Sequence, residues 1–177
     1  MIFALGLVGV WSSGPPLRLS GTGFGELVVA LMVSLLVPSL GYQLQAGHFG
    51  YFVVLATAPL FAINWMMLVF FEFPDVETDR AVGKRTLLVR LGYRQGQALV
   101  TAITLGAFGL LALLSMIVLP RPVLLGLFAA PIALVAIVLV RQVVAGRKVR
   151  YFWLTFSAVA FYTITALLET VGIFLSA

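Results

Sequence analysis

The chain has no cysteine, which excludes disulfides and thiolate metal sites and leaves its redox compartment unread. It is also poor in charge. Only 10% of its 177 residues are Asp, Glu, Lys or Arg, against roughly 25% in a soluble domain. The net charge of +5 does not point to nucleic acid, because the cations lie in loops between apolar runs. The partners they suit are anionic lipid headgroups or a phosphorylated ligand. Two-residue alternation of apolar and polar positions is missing too, which argues against the strands of a membrane barrel.

What is present is hydrocarbon. Hydrophobic residues make up 62% of the chain and the mean hydropathy is +1.15. Five continuous apolar segments, near Glu26–Ala46, Gly50–Phe71, Gly96–Leu119, Pro122–Arg141 and Tyr151–Leu175, are each long enough to cross the bilayer, which takes about 20 helical residues. The expected fold is therefore all-α, a polytopic transmembrane helix bundle forming a single domain over 1–177. Pro38, Pro59 and Pro131 fall inside spans and are expected to bend them. Met1–Val10 is apolar but covers only about 15 Å as a helix, half a bilayer. It lacks the basic start and small-residue cleavage site of a signal peptide. It is expected to be the second half of a helix whose first half is missing, a partial N-terminal helix in a truncated chain.

Charge distribution checks the span count. With five spans, ten of the eleven cations fall at one membrane face and Arg121 alone opposite. The positive-inside rule then places the charged loops in the cytoplasm and the C-terminus outside, as expected of a multi-pass protein of the cell membrane.

The most polar stretch interrupts this pattern. Four of the six acidic residues, Glu72, Asp75, Glu77 and Asp79, lie within eight positions, followed at once by Arg80, Lys84 and Arg85. If Pro74 opens a short helix at its first position, where proline is tolerated, Asp75 and Asp79 stand one turn apart on one face. Two such carboxylates suit Mg²⁺, which takes one or two carboxylates, keeps waters and completes its shell with phosphate oxygens. Lys84 and Arg85 could neutralise the same phosphates, one as a point charge and one as a planar fork. On charge alone, a loop that merely solvates the ends of two spans explains the residues as well. An EF-hand is excluded by Arg80 and Thr86 at the positions that need Gly and Glu. A phosphate-binding P-loop is excluded because Arg85 follows Gly83-Lys84. Within the apolar spans, Asn64 suits a helix–helix contact, and Glu169 is expected to pair or to face a cavity.

The wording of the island is more specific than its charge. Asp75-Val-Glu-Thr-Asp79-Arg-Ala-Val-Gly-Lys84-Arg85-Thr-Leu-Leu-Val-Arg-Leu-Gly92 resembles the second aspartate-rich motif of the UbiA family of membrane prenyltransferases. It is most similar to the branch acting on 1,4-dihydroxy-2-naphthoate in menaquinone synthesis. Upstream, Trp11-Ser-Ser-Gly-Pro-Pro-Leu-Arg18-Leu-Ser20-Gly-Thr-Gly-Phe-Gly25-Glu26 is similar to the family's Tyr-Ser-x-Pro-Pro-x-Arg-Leu-Lys segment and its Gly-Glu. Trp11 replaces the usual Tyr, and Ser20 the usual Lys.

The resemblance implies a nine-helix bundle whose last five helices match these spans. It also implies Mg²⁺-dependent transfer of an isoprenyl group from a prenyl diphosphate to an aromatic acceptor within the lipid bilayer. On the matching positions, Asp75 and Asp79 are the metal-binding catalytic pair, Lys84, Arg85 and Arg18 bind the diphosphate, and Trp11 is a cavity aromatic. No second Asp-x-x-x-Asp occurs in the chain. The isolated chain is therefore expected to be inactive without an N-terminal half carrying the first motif. The alternative is a non-catalytic isoprenoid- or lipid-binding membrane protein.

Overall fold

A computed structural model describes residues 23–176. Trp11, Arg18 and the Met1–Val10 segment lie outside them. All regular structure among the described residues is helical: α1 (Gly25–Ala46), α2 (Tyr51–Glu72), the short α3 (Val76–Ala81), α4 (Leu87–Ile117), α5 (Arg121–Val144) and α6 (Tyr151–Phe174). Every helix but α3 is long and apolar enough to cross a membrane. Large apolar side chains face outward, Met116 at 82% exposure, Phe128 at 75% and Phe174 at 77%, which suits a lipid solvent.

The core forms where α2 packs against α4 and α6, with α5 closing the opposite side between α4 and α6. Phe70, Phe73, Leu88, Val100, Leu154 and Phe161 are all fully buried there. α1 packs chiefly on α2. One polar link holds these helices together at mid-span. Asn64 Nδ2 on α2 donates to Ser34 Oγ on α1 at 2.8 Å, and Ser34 Oγ lies 3.3 Å from the Tyr162 hydroxyl on α6. Asn64 thus joins helices, as its place within an apolar span leads one to expect. Asn64→Leu should cost about 1 kcal/mol of bundle stability, as polar contacts between membrane helices do, measured by thermal unfolding in detergent.

Local geometry departs from the simple span map at several points. Pro38 does not simply bend α1. It lacks an N–H, and the turn before it, Met32–Leu36, widens to π geometry, with Val37 N–H reaching back five residues to Met32 O. Pro131 lies within α5, at the junction of its two parts. It sits in the first turn of the α-helical part of α5, Ala130–Val144, where a missing donor is harmless. The preceding stretch of α5, Arg121–Ala129, is a 3₁₀ helix, far longer than the usual three or four residues. It lies tightly on α6: a Cβ on Gly172 would stand 2.5 Å from Pro122 O, and one on Gly126 would stand 3.1 Å from Glu169 Cγ. The third span begins at Leu87, nine residues before the expected Gly96, and is interrupted at Gly92, whose φ of 75° breaks the helix. The first turn forms there because Leu88 is wholly buried and its N–H has an acceptor from another helix.

Glu169 takes an unexpected place. It is 3% exposed, yet its Oε1 has no hydrogen-bond partner among the described residues. Of the two expectations, a partner or a cavity, no ion pair forms among the described residues, and the side chain lies against Gly126 of the 3₁₀ stretch.

Candidate functional site

The polar island closes the charged end of the bundle between α2 and α4. Phe73 and Val76, fully buried, pull the chain back into the core just where α2 ends. Pro74 does not open α3. Asp75 N–H bonds Glu72 O at 3.0 Å, a turn that places Pro74 before the helix and makes Asp75 its N-cap residue. The spacing still holds, because Asp79 N–H donates to Asp75 O at 2.7 Å, one helical turn on. The two carboxylates differ in setting. Asp75 is exposed, whereas Asp79, three positions after buried Val76, is only 8% exposed.

Asp79 also organises the turn after α3. Lys84 N–H bonds Asp79 O at 2.9 Å and Gly83 N–H bonds Arg80 O at 3.2 Å, with Gly83 left-handed at φ 76°. This is the paired hydrogen-bond closure that ends helices at glycine. It turns the chain so that Lys84 Nζ reaches Asp79 Oδ1 at 2.7 Å. Gly83→Ala has open space for its methyl but forces a non-glycine residue into the left-handed region. It should cost about 1 kcal/mol and lower the thermal midpoint without disturbing the rest of the bundle.

The hydrogen bond from Lys84 to Asp79, and then that carboxylate's charge, hold the ammonium above the ordinary lysine value. A raised folded-state value means that this tie is fully present below the ordinary lysine range and is lost as pH rises through the raised value, so it is intact at neutral pH. Arg85 is exposed, its carbonyl accepting from Arg90 Nε at 3.0 Å. Arg80 pairs with Glu77 at 3.5 Å on the surface.

Glu72 serves a different purpose from its neighbours. It is 7% exposed, and its Oε2 accepts Leu88 N–H at 2.7 Å, an acceptor for one of the orphan donors at the start of α4. Glu72 Oε1 and Thr86 Oγ1, like Glu26 Oε2, are buried with no hydrogen-bond partner among the described residues. The upstream segment arrives at the same place, since Gly23 lies against the backbone of Arg85 and Leu87. The described end of the upstream motif thus lies against the turn that follows the acidic one. No sequence signal marks Glu26 or Glu72 for this role, because it depends on which helix ends meet. Glu72→Leu leaves the Leu88 N–H buried without an acceptor and should cost about 1–3 kcal/mol. Glu72→Gln keeps an acceptor and should cost less, a difference readable in unfolding midpoints.

Among the described residues no cluster of three or more His, Cys, Asp or Glu could hold a metal ion. Asp75 and Asp79 are a two-carboxylate set. This is enough for Mg²⁺ only when a ligand's phosphate oxygens and water complete the shell.

Comparison with known proteins bears on the whole chain. The 2-carboxy-1,4-naphthoquinone phytyltransferase of Synechocystis sp. is 30% identical over 94 residues, covering 53% of this chain and 31% of that protein. The chain thus spans about a third of the length of the relative it matches. No solved structure matches. The sequence profile described as "UbiA prenyltransferase family" matches residues 1–164, nearly the whole chain, and the protein belongs to that family.

Proposed function

We propose that the Asp75–Asp79 turn binds the diphosphate of a prenyl donor together with Mg²⁺, for transfer of the prenyl group to an aromatic acceptor of the dihydroxynaphthoate type. The observation that carries this reading is a carboxylate pair one turn apart, backed by Lys84 and Arg85, at the membrane end of an apolar bundle. Asp75 and Asp79 would hold the ion. When bound, it would offset the charge that grows on the diphosphate as the allylic C–O bond breaks. Lys84 sits 2.7 Å from Asp79, and its ammonium would bind a phosphate oxygen beside that carboxylate. Arg85 would grip the diphosphate through its planar fork, with Arg18 as a further contact. The surrounding helices would keep water from the allylic cation until the acceptor ring attacks it, and the resemblance offers Trp11 as an aromatic group to stabilise that cation. The charged loops would lie on the cytoplasmic side, level with the diphosphate head of a donor whose prenyl tail lies in the bilayer.

The chain contains a single Asp-x-x-x-Asp pair, so the 177 residues alone are proposed to bind donor without turning it over. A segment or partner with a second acidic motif would be needed for transfer. Incubation of the purified chain with Mg²⁺, a long prenyl diphosphate and dihydroxynaphthoate should give donor binding and no prenylated acceptor. Product from the chain alone would overturn the single-motif limit. The same single pair favours, as a second reading, a protein that binds isoprenoid diphosphate without catalysis. That reading predicts no product even when a second acidic motif is supplied.

A further inference from the structure

The α5–α6 face carries a groove lined by none of the residues of the acidic turn. Its volume is about 590 Å³ and its walls are apolar: Ile132, Val135 and Leu139 from α5, and Trp153, Phe156 and Ile164 from α6. The one hydroxyl in the wall, Ser157, is turned to Leu154 O at 2.9 Å. From Leu139 to Pro131 the groove runs about 12 Å along α5, and from Trp153 to Ile164 about 16 Å along α6, at 1.5 Å per residue. Both lengths match one leaflet of a hydrocarbon core about 30 Å thick.

The shallow end of the groove opens beside the α5–α6 connection. Arg141, Arg147, Lys148 and Arg150 are all exposed there. No acidic residue occurs between Asp79 and Glu169, and the salt bridges among the described residues are Arg80–Glu77 and Lys84–Asp79. These four cations therefore have no carboxylate partner among the described residues. Phe152, Trp153 and Phe156 form an aromatic cluster, with centroids 5.4–6.0 Å apart, at the level where such rings favour the membrane interface.

We infer that this groove is a binding site for one anionic phospholipid of the leaflet on the charged side, its phosphate held by the Arg141–Arg150 cations and one acyl chain laid between α5 and α6. Depth and charge decide the occupant together. An apolar groove alone would take any acyl chain, and a basic loop alone would touch any anionic surface. A one-leaflet groove ending at unpaired cations selects a lipid carrying both features. The site stands apart from the acidic turn and does not depend on the prenyl transfer reading.

Native mass spectrometry of the full chain in mild detergent tests this, with phosphatidylglycerol and phosphatidylcholine of matched acyl chains as probes. The expected result is one retained phosphatidylglycerol, favoured over phosphatidylcholine by about tenfold or more. Arg147→Gln/Lys148→Gln/Arg150→Gln should remove the preference. Ala160→Phe, which fills the groove while keeping every cation, should reduce retention of both lipids. Lys84→Gln/Arg85→Gln should leave the preference unchanged. Equal retention of the two lipids overturns the site, as does a preference that survives the triple variant. So does retention of both lipids untouched by Ala160→Phe, which would mean surface attraction without a groove. Should the triple variant unfold, Arg147→Gln alone, in the exposed connection, is expected to lower the preference several-fold; no change there counts against the site.

Discussion

Asp75→Asn and Asp79→Asn are each expected to weaken Mg²⁺-dependent binding of a prenyl diphosphate on the order of 100-fold, the scale on which lost metal-site interactions act. Their structural consequences should differ. Asp75 is exposed and its backbone, not its carboxylate, holds the α3 turn, so its variant should keep the wild-type midpoint. Asp79 is nearly buried and its carboxylate takes Lys84 Nζ at 2.7 Å. Its variant trades an ion pair for an ammonium–amide contact and should raise amide exchange in the Gly83–Lys84 turn. Equal binding by wild type and both variants would remove the carboxylate pair from the site. A loss confined to Asp79→Asn would make the effect one of turn geometry, without a metal pair.

The second large effect is expected far from the island. Gly172→Val should destabilise the bundle by about 3 kcal/mol, at the upper end for overpacking. The obstacle is the Pro122 carbonyl, 2.5 Å from the new Cβ, and backbone cannot turn aside as a flexible side chain can. The 3₁₀ stretch Arg121–Ala129 would have to lift from α6. Thermal unfolding in detergent measures the loss. Gly109→Ala, in a helix with nothing within 4 Å of the added methyl, is the matched control and should be neutral or slightly stabilising. Equal midpoints for Gly172→Val and wild type would mean that the 3₁₀ segment is not seated on α6.

These two effects mark what the sequence does and does not disclose. Uninterrupted apolar runs dictate five crossing helices, because a bilayer leaves the backbone few alternatives. The one-turn spacing of Asp75 and Asp79 is equally legible, since it survives a shift of two residues in where α3 begins. Positions set by tertiary contact were hidden. The early start of α4 depends on Glu72, 16 positions before the Leu88 N–H that it accepts. The π turn before Pro38 and the 3₁₀ helix before Pro131 both sit next to prolines that sequence alone marks only as bends. The seating of Gly23 against the backbone of Arg85 and Leu87 likewise depends on which chain ends meet, and nothing in the spacing of the residues announces it. Glu169 reads as a charge that either pairs or faces a cavity, and its Oε1 has no hydrogen-bond partner among the described residues.

Titration of the purified chain with a fluorescent prenyl diphosphate across a range of free Mg²⁺ most directly tests whether the acidic turn is a metal–diphosphate site. Affinity should rise with Mg²⁺, collapse in EDTA, and lose that dependence in the Asp75→Asn/Asp79→Asn double variant. The same affinity in EDTA as in Mg²⁺, or a Mg²⁺ response retained by the double variant, would contradict it.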